Sequence, residues 1–181
     1  MVIRRILRHA VLALALTVLG TGPADAQVSA VLDWIHRLSG PQFVGPNISY
    51  AVGNDRVRVR GALAYRWSVA SDDAISPDGG ITMFSVSPTV EFRVLSQLDL
   101  GIGAAAHRYG GDVDGFWHWS IPVYAQGVFP ASDRMAVRFG AGANWFFEFE
   151  GTDFQPLTVT APRDGGELVP MIFAGVELHL F

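Results

Sequence analysis

The segment Phe116–Ser120, which reads FWHWS, places a histidine and a serine two residues apart. In a β-strand, residues i and i+2 lie on the same face. His118 could therefore take a proton from the Ser120 hydroxyl while that hydroxyl attacks an acyl group. Such a nucleophile also needs an acid that orients the histidine. A hairpin turn near residue 131 would place Ser120 opposite Ala143, several residues away from Glu148, so the sequence supplies no well-placed acid.

A second chemical signal lies in residues 56–70, RVRVRGALAYRWSVA. Every arginine of this segment falls on one side of a period-2 pattern, and the other side holds valine, leucine, tyrosine and tryptophan. Period 2 over this length predicts a long β-strand. Its apolar side has the composition of a lipid-facing surface, and its arginine side has that of an interior in which charges must pair.

The N-terminus predicts export. Three arginines precede the apolar run Ala10–Leu19, and Ala24-Asp25-Ala26 fits a small-residue cleavage site. This is the pattern of a secretory signal peptide, so we assign residues 1–26 to it. No later segment is apolar for long enough to form a transmembrane helix, and the absence of cysteine excludes disulfides and thiolate chemistry.

The mature chain divides into two predicted parts. In Val28–Ser39, Val28, Val31, Leu32, Ile35 and Leu38 share one helical face, and Gly40-Pro41 follows. We therefore predict an amphipathic helix over residues 27–40. From residue 41 to 181 the chain alternates between apolar and polar residues, which predicts antiparallel strands of one domain.

The charges of these predicted strands lie on one side, whereas the apolar side carries a single charge, Arg108. In a soluble β-sandwich the apolar side of each sheet would be buried in the core and the polar side would be exposed to water. Here the polar side is also rich in glycine and alanine, which suits a narrow interior. We predict that this interior is the lumen of a barrel and that it holds a charge network of Arg56, Arg58, Arg60, Arg66, Glu91, Arg93, Asp99, Arg134, Arg138, Glu148 and Glu177.

Bulky aromatic residues gather at strand ends on the apolar side. If successive strands run up and down, one group reaches a single rim, as expected for the aromatic belt at a lipid–water boundary. Short connections face the periplasm in bacterial barrels and long loops face outward, so this rim is predicted at the cell surface. Its predicted members are Tyr65, Trp67, Phe84, Trp117, Trp119, Trp145 and Phe147.

Over nearly all of residues 43–181 the chain resembles the small outer-membrane β-barrel proteins with about eight strands. Its ending is similar to the C-terminal assembly signal of that class, with Gly175, Leu178 and Leu180 at the expected spacing and Phe181 one step past the alternation. The resemblance implies an all-β, up-and-down transmembrane barrel in the bacterial outer membrane. It also implies contact with outer-membrane lipid and lipopolysaccharide, and with the barrel-assembly machinery during insertion.

The strand count leaves two alternatives open. Seven strands are clear, whereas a barrel with both ends in the periplasm needs an even number. Either residues 152–162 supply an eighth strand, or the N-terminal segment enters the lumen and the first strand runs downward.

Three functions are compatible with this sequence. The first is a structural or interaction protein with a filled lumen and surface loops as the contact region. The second is a narrow, anion-preferring pore. The third is a lipid A-modifying enzyme, because His118 and Ser120 resemble the His-x-Ser motif of outer-membrane lipid A deacylases, although Ile121 stands where that family has Asn. We expect the first, with no enzymatic activity, no metal or cofactor, no nucleic acid, and a monomeric state.

Overall fold

The computed structural model describes residues 25–38, 41–70, 80–111, 115–147 and 166–180, with the side chains of residues 25, 70, 116 and 147 excepted. All regular structure in this part of the chain is β. None of these residues forms a helix long and apolar enough to cross a membrane. The strands are β1 (Asp25–Arg37), β2 (Gln42–Gly53), β3 (Val57–Ala70), β4 (Ile81–Leu95), β5 (Leu98–Gly103), β6 (Ala105–Gly111), β7 (Phe116–Ser132), β8 (Met135–Phe147) and β9 (Glu167–His179).

Segments β5 and β6 occupy a single position in the sheet. Both pair with β4 on one side and with β7 on the other. The register continues across the interruption at Ala104, since Gly103 lies opposite Thr89 and Ala106 lies opposite Val86. The nine segments therefore form eight barrel strands.

The sheet closes on itself through antiparallel pairs between sequential strands and between β1 and β9. In that closing pair Ser29 lies opposite His179 and Arg37 opposite Met171. A closed sheet has no edge, so every strand has a hydrogen-bonded neighbour on both sides. The predicted antiparallel barrel of eight strands is confirmed.

The predicted amphipathic helix over residues 27–40 is wrong, because residues 27–37 belong to strand β1. Its outward side chains include Leu32, which is 57% exposed, whereas Ser29 and Val31 point into the lumen and are buried. Spacings of four residues fit period 2 as well as a helix, so Ser29, Asp33 and Arg37 share a face in either structure. The hydrogen-bonded pairing of this segment with both β2 and β9 shows that it is a strand.

Strand β1 also resolves the strand count. It is the eighth barrel strand, so β8 pairs directly with β9 and the barrel closes without residues 152–162. That predicted eighth strand lies outside the described residues. Neither alternative was needed, since the N-terminal segment belongs to the wall.

The connections differ in length between the two ends of the barrel. At one end, which we call the turn end, residues 54–56, 96–97 and 133–134 join the strands, and β1 begins and β9 ends there. At the other end, which we call the loop end, residues 38–41, 71–80, 112–115 and 148–166 join them. This arrangement matches the short turns and longer loops of outer-membrane barrels.

Apolar side chains cover the outside of the barrel. Leu63, Phe139 and Val123 lie in the middle of their strands and are 54%, 53% and 51% exposed. The buried side chains are instead mostly polar and point inward, among them Arg60, Glu91 and Asp99. A protein that exposes aliphatic side chains all round and buries ions is arranged for a lipid solvent.

Replacing Leu63 by arginine tests this orientation. The substitution places a charge in the middle of the outer face, and we expect it to lower the free energy of unfolding from lipid vesicles by about 2–4 kcal/mol. The matched control is Leu38→Arg, at the loop-end boundary, with an expected loss of about 0–1 kcal/mol. Equal losses in urea titrations of the two variants would contradict a lipid-facing surface.

Candidate functional site

The half of the lumen nearer the turn end holds a network of ion pairs, which we call the charge cluster. Its side chains come from five strands and are mostly buried, so their charges have partners within the barrel instead of in water. Unpaired ions in such a place would cost several kcal/mol each. The members are Arg58, Arg60, Glu91, Arg93, Asp99, Arg138 and Glu177.

Glu91 is the hub of the charge cluster. It is 1% exposed, and its Oε1 accepts hydrogen bonds of 3.0 Å from Arg60 Nε, Tyr124 Oη and Gln126 Nε2. Arg58 Nη2 lies 3.4 Å from its Oε2, and Arg138 Nη2 lies 3.6 Å from its Oε1. One carboxylate thus organises groups from strands β3, β7 and β8 around β4.

Two arginines tie distant walls together. Arg60 on β3 contacts Glu91 on β4 and reaches Glu177 on β9, with Nη1 3.4 Å from Glu177 Oε1. Arg138 on β8 lies 3.4 Å from Glu177 and also reaches Glu91. These contacts cross the lumen, and they fill its cross-section with side chains, as an eight-stranded barrel requires.

The turn-end edge of the cluster is centred on Asp99. Arg58 Nη2 lies 2.7 Å from its Oδ2, and Arg93 Nε lies 3.0 Å from its Oδ1. Asp99 is 1% exposed, whereas the two arginines are partly open to the turn end. The register explains the meeting, since Arg93 lies directly opposite Asp99 on the neighbouring strand.

Gly101 makes room for a member of this site. A Cβ atom at Gly101 would overlap the ring of Tyr124, which lies opposite it on β7. The Tyr124 ring therefore lies over the glycine, and its hydroxyl reaches Glu91. A side chain at position 101 would displace this ring.

A separate ion pair lies nearer the loop end. Arg66 Nε and Nη2 donate to the two oxygens of Asp33 at 2.6 and 2.7 Å, a bidentate geometry. Asn47 Nδ2 donates to the same carboxylate at 3.2 Å. The pair connects β1 to β3 across β2.

Apolar and aromatic side chains close the loop end of the lumen, and we call this group the aromatic plug. It consists of Phe43, Ile81, Met83 and Tyr109, each at most 1% exposed, together with Arg37. Arg37 donates to the Tyr109 hydroxyl at 2.7 Å. Its guanidinium carbon lies 5.1–5.6 Å from the ring centroids of Phe43, Tyr109 and Phe146, within cation–π distance.

Between the charge cluster and the aromatic plug lies a cavity of about 150 Å³. Its lining includes the Asp33–Arg66 pair, His107 and Asn144. A cavity of this size has room for water molecules beside its charged and amide groups, although apolar atoms form most of its wall. Side chains thus fill the lumen at two levels, and this chamber lies between them.

The structure pairs Ser120 with a different histidine from the one that the sequence suggested. Ser120 Oγ lies 2.9 Å from His107 Nε2, and His107 Nδ1 lies 2.9 Å from Ser85 Oγ. Because serines occupy both ring nitrogens, no carboxylate orients this imidazole. His118 packs edge-on against Tyr109 and Phe146. Ser120 is 0% exposed and lies opposite Phe146, not Ala143.

The predicted charge network agrees with the structure only in part. Arg56 and Arg134 lie in exposed turns outside the charge cluster, contrary to prediction, because the strands begin one residue after each of them. Glu148 lies outside the described residues. The network residues found in the lumen are Arg58, Arg60, Arg66, Glu91, Arg93, Asp99, Arg138 and Glu177.

Several lumenal side chains of the site were not predicted from the sequence. Asp33 and Arg37 belong to the segment that was assigned to a helix. Their alternation with Leu32 and Trp34 was the signal that could have found them. Tyr124 and Gln126 also donate to Glu91, but nothing in the sequence indicates that these uncharged residues would bind it. Among the described residues, no group of three or more acidic or histidine side chains could hold a metal ion.

The predicted aromatic rim lies on the outer face at the loop end. Tyr65, Phe84 and Trp117 belong to one row of neighbouring strands that also includes Arg108. Trp67, Trp119 and Trp145 lie on the same face, and the side chain of Phe147 lies outside the described part. At the other end, Leu178 and Leu180 point outward and are exposed, Gly175 points inward, and Phe181 is not described.

Among known proteins, only solved structures are similar to this chain. No protein-family model and no curated protein sequence matches the chain. The chain is similar to the N-terminal β-barrel domain of Pseudomonas aeruginosa OprF (13% identity, TM-score 0.49, 87% of this chain and 100% of that chain). It is also similar to Neisserial surface protein A (13%, 0.47, 87% and 99%) and to a major outer membrane protein from Thermus thermophilus (14%, 0.49, 86% and 99%).

The chain is a small, eight-stranded barrel of the outer-membrane type, and no individual member of that class is identified. Its closed sheet, apolar outer face and ion-paired lumen carry this assignment.

Replacing Glu91 by glutamine tests the hub of the charge cluster. The variant keeps the shape of the side chain but leaves Arg60 and Arg138 short of a negative charge, so we expect the free energy of unfolding to fall by about 3 kcal/mol. Asp55→Asn, in an exposed turn, serves as the control with a change within about 0.5 kcal/mol. Urea unfolding in detergent micelles measures both, and equal stabilities would refute the assignment of Glu91 as the hub.

Proposed function

We propose that this protein is a sealed barrel of the bacterial outer membrane whose function resides at its loop end. The observation that carries the proposal is the pair of cross-lumen ties, in which Arg60 and Arg138 each join Glu91 on one wall to Glu177 on another. An interior filled in this way supports the wall and leaves ligand recognition to the surface.

Lumen geometry supports the sealed state in the loop half as well. The aromatic plug occupies the lumen between the chamber and the loop end, and the side chains of Phe43, Ile81, Met83 and Tyr109 are almost completely buried. An ion on the barrel axis would have to displace both the aromatic plug and the charge cluster. Among the described residues, six arginines and five carboxylates lie on the lumenal face, the fifth carboxylate being Glu167 at the loop end. The surplus of one positive charge would favour anions if the lumen opened.

The remaining features of the proposal follow from the membrane location. A signal peptide over residues 1–26 delivers the chain to the periplasm, and cleavage after Ala26 would fall within β1 as the structure has it. The ending with Gly175, Leu178, Leu180 and Phe181 is the segment that the barrel-assembly machinery would read. The barrel acts as a monomer, since closure leaves no strand edge for a second copy.

Planar-bilayer recordings test the sealed lumen. We expect the wild-type protein to give no steady channel events, because side chains span the lumen at two levels. A water-filled porin in the same bilayer provides the positive control. Steady events that disappear in Arg58→Gln or Arg60→Gln would contradict the proposal and would favour the anion-preferring pore.

Mass spectrometry of lipid A tests the absence of an enzymatic role. We expect identical lipid A acylation in cells that make the wild type and in cells that make Ser120→Ala, because Ser120 is buried and His107 lacks a carboxylate partner. Asn144→Ala, at another lumenal position, controls for loss of folded protein. A lipid A species that depends on Ser120 but not on Asn144 would establish catalysis.

A further inference from the structure

The wall of the barrel is interrupted near the middle of its height. Ala104 separates β5 from β6, although both segments pair with the same neighbours. A proline lies on each side of this break. Pro88, at the centre of β4, lies opposite Ala104, whose N–H donates to the Pro88 carbonyl at 3.0 Å. On β7, continuation of the register with β5 places Pro122 opposite Gly103.

These prolines deprive two carbonyl groups of the wall of their usual donors. In a hydrogen-bonded antiparallel pair each residue donates to the other and accepts from it, but proline has no N–H. Pro88 therefore cannot return a hydrogen bond to the Ala104 carbonyl. The alternation along the strand directs the Gly103 carbonyl to the other side, toward Pro122. A sheet that lacks two hydrogen bonds opens locally at a lower cost than its neighbouring parts.

The chamber between the charge cluster and the aromatic plug lies directly behind this break. Ala105 and Pro122 belong to its lining, and Gly103 adds no side chain on the same face. On the outer face Pro88 is exposed and Ala104 is half-buried. At this position only small side chains and a weakened sheet separate the chamber from lipid.

The chamber combines an apolar volume with an acceptor that lacks a donor. Its volume of about 150 Å³ is close to that of cavities that take a benzene-sized molecule. Asn47, in its lining, donates through Nδ2 to Asp33, whereas its buried Oδ1 has no hydrogen-bond partner among the described residues. The arginines of the lining, Arg60, Arg66 and Arg138, already contact carboxylates. A ligand that satisfies Asn47 therefore needs a hydrogen-bond donor, and it needs no charge.

We propose that the chamber binds a small neutral alcohol or phenol that enters from the lipid through the break at Gly103 and Ala104. Its hydroxyl donates to Asn47 Oδ1, and its apolar body contacts apolar side chains of the lining, among them Met171 and Phe173. Molecules of this class dissolve in lipid, so the membrane supplies them directly. The route passes through the wall, so it requires no pore along the axis and goes beyond the proposed function without opening the lumen.

Fluorine NMR of the full-length protein in lipid nanodiscs tests the site, with para-fluorophenol and fluorobenzene as probes. Binding is the signal that empty nanodiscs do not give. We expect para-fluorophenol to bind about three- to tenfold more tightly than fluorobenzene, the effect of one hydrogen bond. In Asn47→Leu the two affinities become equal. Ala62→Leu fills the chamber and abolishes binding, whereas Ala141→Leu, which adds the same side chain on the outer face, leaves binding unchanged.

Pro88→Val tests the route. Valine supplies the N–H that the Ala104 carbonyl lacks, so we expect an unchanged affinity for para-fluorophenol. Exchange of the probe between its free and bound states slows about three- to tenfold, the effect of one added hydrogen bond. Pro170→Val makes the same substitution on the outer face of β9, away from the break, and exchange stays as in the wild type. Fluorine magnetisation-exchange spectra measure these rates.

The outcomes bear on the site and on the route separately. Absence of a bound signal in the wild type, or full binding in Ala62→Leu, refutes the chamber as a ligand site. Equal affinities of the wild type for the two probes refute the hydroxyl contact, and unchanged exchange in Pro88→Val refutes entry through the break. Heat-modifiable gel migration shows that each variant is folded, and the comparison of the two probes on the wild type requires no variant.

Discussion

Backbone hydrogen bonding in a medium without water is the constraint on which this structure depends. In hydrocarbon each unpaired N–H or C=O costs several kcal/mol, so a strand can cross only if both of its edges are paired. The contact between β1 and β9 meets this requirement, because it removes the last two edges of the sheet. The other features of the molecule, including which side chains meet lipid and which meet each other, follow from that closure.

Closure with eight strands creates an interior too narrow for bulk water and too polar to be an ordinary core. In the charge cluster each buried ion has more than one partner of opposite charge. Glu91 contacts three arginines, and Arg60 and Arg138 each contact two carboxylates. Apolar side chains of similar volume often give equal or greater stability than buried ions. The ions have another effect, since each cross-lumen tie is made only in one register of the strands.

The aromatic plug and the charge cluster differ in chemistry but have the same consequence. Both occupy the lumen with side chains that are anchored on several strands. Contact with other molecules is thereby left to the outer wall and to the loop end. The row of Tyr65, Phe84, Arg108 and Trp117 shows how the wall itself changes character at that end, from aliphatic to aromatic and cationic. This change follows the boundary between acyl chains and headgroups.

Much of this architecture is determined locally by the sequence. Period 2 places Arg58, Glu91 and Arg138 on the lumen side whatever the neighbouring strand is, because alternation is a property of a single strand. In β1 the period was ambiguous: Asp33 and Arg37 alternate with apolar neighbours as in a strand, but they also share a helix face with Ser29. Only pairing with β2 and β9 decided that segment, and with it the strand count. Three features depend on the register and curvature of neighbouring strands, which are set only when the sheet closes. They are the choice of ion-pair partners, the contact of Ser120 with His107 instead of His118, and the position of Tyr124 over Gly101.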